Sequence, residues 1–128
     1  MPKESKVDDT DFEIQFYENI LEKKGDFVQA LLALGNLYTQ KGMHQKGLTV
    51  DQKLSMLRPG DPVILYNLAC SYSLLNDVDL ALRTIKQALN CGYDDFVHLE
   101  RDQDLENLRN DSRFAKYFQS VKKRKLPE

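Results

Sequence analysis

Residues 28–61, VQALLALGNLYTQKGMHQKGLTVDQKLSMLRPGD, and residues 62–95, PVILYNLACSYSLLNDVDLALRTIKQALNCGYDD, carry one pattern twice at an offset of 34 positions. Leu31 pairs with Leu65, Leu34 with Leu68, Gly35 with Ala69, Tyr38 with Tyr72, Gly47 with Ala81, Leu48 with Leu82 and Leu54 with Ala88. Small meets small and aromatic meets aromatic. A fixed period of roughly 20 to 50 residues marks stacked supersecondary units, none of which can bury its apolar face alone. Gly35 and Gly47 suit the contact of two antiparallel helices, where a side chain larger than alanine would hold the backbones apart. Another step back sets Ile14, Phe16, Tyr17, Ile20 and Leu21 against Leu48, Val50, Asp51, Leu54 and Ser55, so the first helix reads as the second half of a truncated repeat.

Helix signals punctuate the chain regularly. Thr10 and Glu13 are spaced as a capping box ahead of the stripe Phe12, Phe16, Ile20, and Gly25 stops that helix. Asp26, with Gln29 three residues on, caps a second helix that carries Leu31, Leu34 and Tyr38 on one face and ends at Gly42. A third helix runs from about His44 to Leu57 before Pro59 and Gly60 break it. Asp61 and Pro62 start the fourth, since proline at the first helical position leaves no backbone donor wasted. Asn76 and Asp77 form the next turn, and a fifth helix from about Val78 to Cys91 ends at Gly92. Nowhere do four to eight residues alternate strictly as a strand would, so the chain is all-α.

Composition sets the outer limits. The chain has 128 residues, 41% hydrophobic and 30% charged, with a net charge of −2, which fits one small domain with its own core. No apolar run reaches the roughly 18 residues that cross a bilayer. The charged N-terminus lacks the apolar stretch of a secretory signal, which points to the cytoplasm. Residues 1–121 hold 14 basic and 19 acidic side chains, so the body is acidic and only the Lys122 to Lys125 run is basic. An acidic body repels phosphate backbones, and no aromatic interleaves the lysines to stack on bases; nucleic-acid binding is not expected.

The residues quoted above resemble the tetratricopeptide-repeat family. Its pattern of a large apolar residue, Leu, a small residue, Tyr, a second small residue, an aromatic, Ala and Pro reads here as Leu31, Leu34, Gly35, Tyr38, Gly47, Asp51, Leu54, Pro59, then Leu65, Leu68, Ala69, Tyr72, Ala81, Ile85, Ala88, Tyr93. The resemblance implies a right-handed superhelical stack of antiparallel helix pairs, an α-solenoid of about seven to eight helices with short C-terminal capping helices. On that frame residues 1–10 form a leader and 11–121 a single domain. Within it lie a half repeat (11–27), two repeats (28–61 and 62–95) and a capping segment (96–121), and a basic tail follows (122–128). Gly92 to Phe118 also looks like the closing segment of bacterial arrays of this kind, which suggests a bacterial source. Asp51 departs from the pattern at a position usually apolar: either a slight shift lets it reach water, the reading we expect, or it is buried and needs a partner such as a tyrosine hydroxyl of the neighbouring repeat or an arginine. Gly92 and Tyr93 replace the closing proline of a typical repeat.

The capping segment has to cover the apolar end that a stack of repeats leaves. Asp95 to Asp102 reads as a short helix with Phe96 and Leu99 inward, Asp104 to Leu108 as another turn, and Ser112 to about Lys123 as a final helix with Phe114, Tyr117, Phe118 and Val121 on one side.

No reaction centre emerges. His44 and His98 lack metal-ligand spacing to a Cys, His or acid, and both read as satisfied or solvated. Cys70 and Cys91 form neither a redox nor a zinc pattern. The glycines match no phosphate cradle. Asp94, Asp95, Asp102 and Asp104 read as helix N-caps. Neither an enzyme, nor a cofactor, nor a metal site is expected.

What remains is a surface. In the resembled fold the first helix of each repeat lines a concave groove, which places there Gln29, Leu32, Asn36, Thr39, Gln40, Val63, Tyr66, Asn67, Cys70, Ser73 and, from the capping segment, Arg101. The stripes on both helices carry no charge. Asn36 and Asn67 stand where chaperone-binding relatives hold a terminal carboxylate, but Leu32 and Val97 take the places of that clamp's lysines. The expected role is a protein-interaction module holding an extended peptide, with Tyr66 as anchor and asparagines on the peptide amides. A second reading is a structural subunit, such as a homodimer or part of a larger assembly, that docks through terminal helices, since Phe12 and Phe16 lack a repeat partner.

Overall fold

The computed structural model describes residues 9–125. Eight α-helices and one 3-10 turn account for most of them, and no strand occurs among the described residues. The chain divides into two compact units, Met1–Pro59 and Gly60–Glu128, parted where Pro59 and Gly60 interrupt the helices. Among the described residues no helix is long and apolar enough to cross a membrane.

The first unit contains α1 (Asp9–Lys23), α2 (Val28–Gln40) and α3 (His44–Leu57). Helix α1 is already under way at Asp9, so Thr10 stands in its first turn and does not cap it. Asp26 does not cap α2 either. The Phe27 amide donates to Lys24 O at 3.2 Å, and this turn puts Phe27 at the cap with no side-chain bond. Helix α2 closes as expected at Gly42, whose φ of 77° is left-handed; Gly42 N donates to Thr39 O and Met43 N to Tyr38 O.

Helices α2 and α3 approach closely at their glycines. A Cβ on Gly47 would sit 3.5 Å from Thr39 Oγ1 and 3.8 Å from Tyr38 Cβ, an ordinary contact that only a short side chain can make. A Cβ on Gly35 would lie 3.3 Å from Asp51 Oδ1. Asp51 is therefore buried rather than turned to water, in room that the missing side chain of Gly35 provides. Tyr38 donates to the Glu18 carboxylate of α1; burial, then that bond, raises its pKa above the usual 10. His44, expected to be satisfied or solvated, has a buried Nδ1 without a hydrogen-bond partner among the described residues.

The second unit begins with α4 (Pro62–Leu74) and α5 (Val78–Asn90). Asp61 accepts from the amides of Val63 and Ile64 at 3.0 and 3.2 Å, with Pro62 at the first helical position. The exit of α4 reproduces that of α2 after 34 residues. Asn76 takes Gly42's place with φ 62°, and Asp77 N donates to Tyr72 O as Met43 N does to Tyr38 O. The repeat is thus written in the backbone as well as in side-chain pattern.

Helix α5 ends at Gly92, and the capping segment follows as α6 (Phe96–Arg101), a 3-10 turn (Gln103–Leu105), α7 (Glu106–Arg109) and α8 (Ser112–Lys125). Leu99, Leu105 and Leu108 are fully buried, in one cluster with Leu65, Ala69 and Ile85 of the repeat. Phe114 and Phe118 stack at 5.4 Å and close that cluster from α8. Arg109 ties the segment together by donating to the carbonyls of Leu99 and Asp102. The Arg113 guanidinium bonds to Asp111 and holds that carboxyl down at about 2. Lys122 to Lys125, expected as a tail, continues α8, and Lys122 pairs with Glu100 at 2.7 Å. Residues 1–8 of the expected leader and 126–128 of the expected tail lie outside the described residues.

Two alanine substitutions in the α2–α3 hairpin have opposite signs. Gly42→Ala forces a left-handed alanine and costs about 1 kcal/mol. Gly47→Ala meets only ordinary contacts and gains up to about 1 kcal/mol of helix propensity. Urea melts of both variants check the pair; two changes of the same sign contradict this packing.

Candidate functional site

The eleven residues expected in the groove fall into three groups. Gln29, Asn36 and Gln40 are exposed on α2, while Leu32 and Thr39 are half-buried and Thr39 Oγ1 donates to Gly35 O. On α4, Val63 is exposed and Asn67 half-buried, whereas Tyr66, Cys70 and Ser73 are buried. Arg101 is exposed at the end of α6.

The burial on α4 has one cause: the capping segment lies on the face expected to meet a ligand. Ser73 Oγ accepts from the Leu108 amide at 3.2 Å and Ser73 O from Asn107 Nδ2 at 2.9 Å. Tyr66 OH donates to Asp102 Oδ2 at 2.7 Å, and its ring stacks on Tyr93 with centroids 4.2 Å apart. Cys70 Sγ lies 3.8 Å from the same Asp102 Oδ2, and His98 Nε2 lies 3.2 Å from that oxygen, while Asp102 Oδ1 accepts from Asp104 N at 3.0 Å. Ser73 and Cys70 are structural, and Tyr66 is not a free anchor.

An open site survives at the N-terminal end of α4. A cavity of about 500 Å³ has Pro62, Val63 and Asn67 on one side, Tyr93, Asp94, Asp95 and His98 on the other, and Tyr66 between them. It is not neutral, as the α4 stripe alone suggested, because the turn between α5 and α6 brings two aspartates to it. Asp95 also caps α6 by accepting from His98 N at 3.1 Å, as expected; Asp94 is exposed. Sequence reasoning missed Tyr93, His98 and Asp102 as partners of Tyr66. Only the four-residue spacing of His98 and Asp102 on a short helix offered a signal.

The chemistry of this cluster is donor–acceptor. Thiolate activation needs an imidazole between acid and sulfur, whereas here imidazole, thiol and phenol all address one carboxylate. Burial, then the adjacent Cys70 and the Asp102 bond, raises the Tyr66 pKa; burial first, with Asp95 adding, pushes Tyr93 up to about 12. Among the described residues no three side chains of metal-ligating type come together.

The fold so built is an all-α, tetratricopeptide-like helical-repeat fold of the α-solenoid class. MamA MSR-1 C2 matches it with a TM-score of 0.70 at 18% identity, over 92% of this chain and 68% of that one. MamA 41-end from Desulfovibrio magneticus RS-1 does so with 0.69 at 14% identity, over 90% and 66%. In sequence, the chain is 35% identical over 107 residues to a chloroplastic protein of Arabidopsis thaliana, a match taking in 80% of this chain and 32% of that protein. The chain thus spans about a third of that relative's length. No family model matches the chain.

Tyr66→Phe removes a donor from a partly buried carboxylate and costs about 1.5 kcal/mol, the lower end for a hydrogen bond to a charged group. Folded Tyr66 and Tyr93 hold their protons more tightly than the unfolded chain does. Their contribution is complete below pH 10; that of Tyr93 is lost as pH rises from 10 through about 12, and that of Tyr66 over a range that extends higher. Stability measured over that interval should fall less steeply in Tyr66→Phe than in the parent; equal slopes contradict the assignment.

Proposed function

We propose that the chain is a non-enzymatic protein-interaction module, with residues 11–121 as its working domain, and that it holds an extended segment of a partner protein at the Val63–Asn67 edge of α4. The cavity beside Tyr93 carries this reading. Asn67 offers an amide to pair with a peptide backbone, Val63 and Tyr93 offer apolar walls, and Asp94 and Asp95 favour a segment bearing lysine or arginine. Cys70 and Ser73, buried beneath the capping segment, have no part in it, whereas Arg101 stays exposed at the end of α6. Gln29, Leu32, Asn36, Thr39 and Gln40 form a separate stripe on α2, within the first unit, to which we assign protein contacts of its own. The tetratricopeptide-like fold shared with MamA suits an interaction or assembly role, and we assign the module neither a cofactor nor a nucleic acid. The relative's chloroplastic address favours an organelle over the bacterial cytoplasm that the leader and the closing segment suggested.

Fluorescence anisotropy with short extended peptides tests the site. Lysine-bearing peptides should bind about tenfold tighter than their glutamate counterparts, a difference of about 1.4 kcal/mol, and weaken as salt rises. Asp94→Lys should abolish most of that preference, whereas Asn67→Ala should weaken both kinds of peptide alike, each with little change in melting. Equal binding of acidic and basic peptides by the parent, preference retained in Asp94→Lys, or unchanged affinities in Asn67→Ala contradicts the proposal.

A further inference from the structure

Charge in this molecule is segregated by helix. Helix α1 has five acidic residues and one basic; α8 has six basic residues and no acidic one. On α1, Asp9, Phe12, Glu13 and Phe16 follow one another at three- and four-residue spacing and share a face. That face is open: Phe12 is 69% exposed and Phe16 52%. Two phenylalanines one turn apart are not a solvated surface, and carboxylates flank them.

A receptor of opposite character lies along α8. A cavity of about 610 Å³ there includes Phe114 and Phe118 among its walls, with Arg109, Lys116 and Lys122 around them. Its one carboxylate, Glu100, is paired with Lys122. Lys116 and Lys123 stand exposed two turns apart on the outer side of α8. The volume accommodates a phenylalanine ring, whose burial removes about 150–250 Å² from water.

We propose that copies of this chain associate head to tail, α1 of one copy docking on α8 of the next with Phe12 in the α8 cavity and Asp9 and Glu13 facing Lys116 and Lys123. The contact joins two different surfaces, so it propagates into an open chain unless rotation closes a ring. Charge complementarity selects a second copy as the occupant, because the acidic, aromatic ligand and the basic, aromatic receptor are encoded in one sequence.

Two charge-swapped full-length variants test this. One carries Asp9→Lys and Glu13→Lys, the other Lys116→Glu and Lys123→Glu; all four positions are exposed, and circular dichroism verifies folding. By light scattering, the parent's mass should rise with concentration, and more so at low salt. Each swapped variant, and Phe12→Ser, should associate about tenfold or more weakly. An equimolar mixture of the two swapped proteins should recover assembly, since both of its mixed contacts are again opposite in charge. A parent that stays monomeric, swaps that change nothing, or a mixture that fails to recover overturns the proposal. So does a monomeric parent that binds phosphatidylserine vesicles through α8.

Discussion

The Asp102 carboxylate holds the second unit in its observed form. It receives the Tyr66 hydroxyl, the His98 imidazole and the Asp104 amide, with the Cys70 thiol nearby, and so joins the last turn of α6 to the middle of α4. A carboxylate held by several donors in a partly dry setting is stable only if all of them stay in place. Their shared acceptor fixes the path of the capping segment, and the leucines that follow enter the core of the repeat. The same contact limits the candidate site by subtraction. It closes the middle of α4 and leaves only the end next to the α5–α6 turn open.

Much of this was legible from the 34-residue offset. The left-handed positions Gly42 and Asn76 follow from one local rule acting twice, and the Asp61–Pro62 start from a rule that acts in the second repeat alone. What the sequence hid was tertiary. Phe27 replaced Asp26 as a cap because a local turn competed with a side-chain bond. Asp51 went inside because Gly35, on another helix, left space for it. Tyr66 seemed a surface residue because its partner lies 36 residues away, outside the repeat, where the period offers no guide.

The candidate site shows the same division. Val63 and Asn67 were expected in a groove from the resembled fold, with helical spacing putting them on one face, and they lie on the open edge of α4. Asp94 and Asp95 were read as caps, and Asp95 is one, but their second role depends on the turn that carries them to the cavity. That turn changes the site from neutral to acidic, and with it the class of partner we propose.

The account stands on the capping segment being part of the repeat's core rather than an appendage. Amide hydrogen exchange measures this directly. The amides of Leu105 and Leu108 should exchange as slowly as those of Leu65 and Ala69 in α4, through one shared opening of the second unit. Exchange at Leu105 and Leu108 faster by orders of magnitude, with α4 still protected, would contradict it.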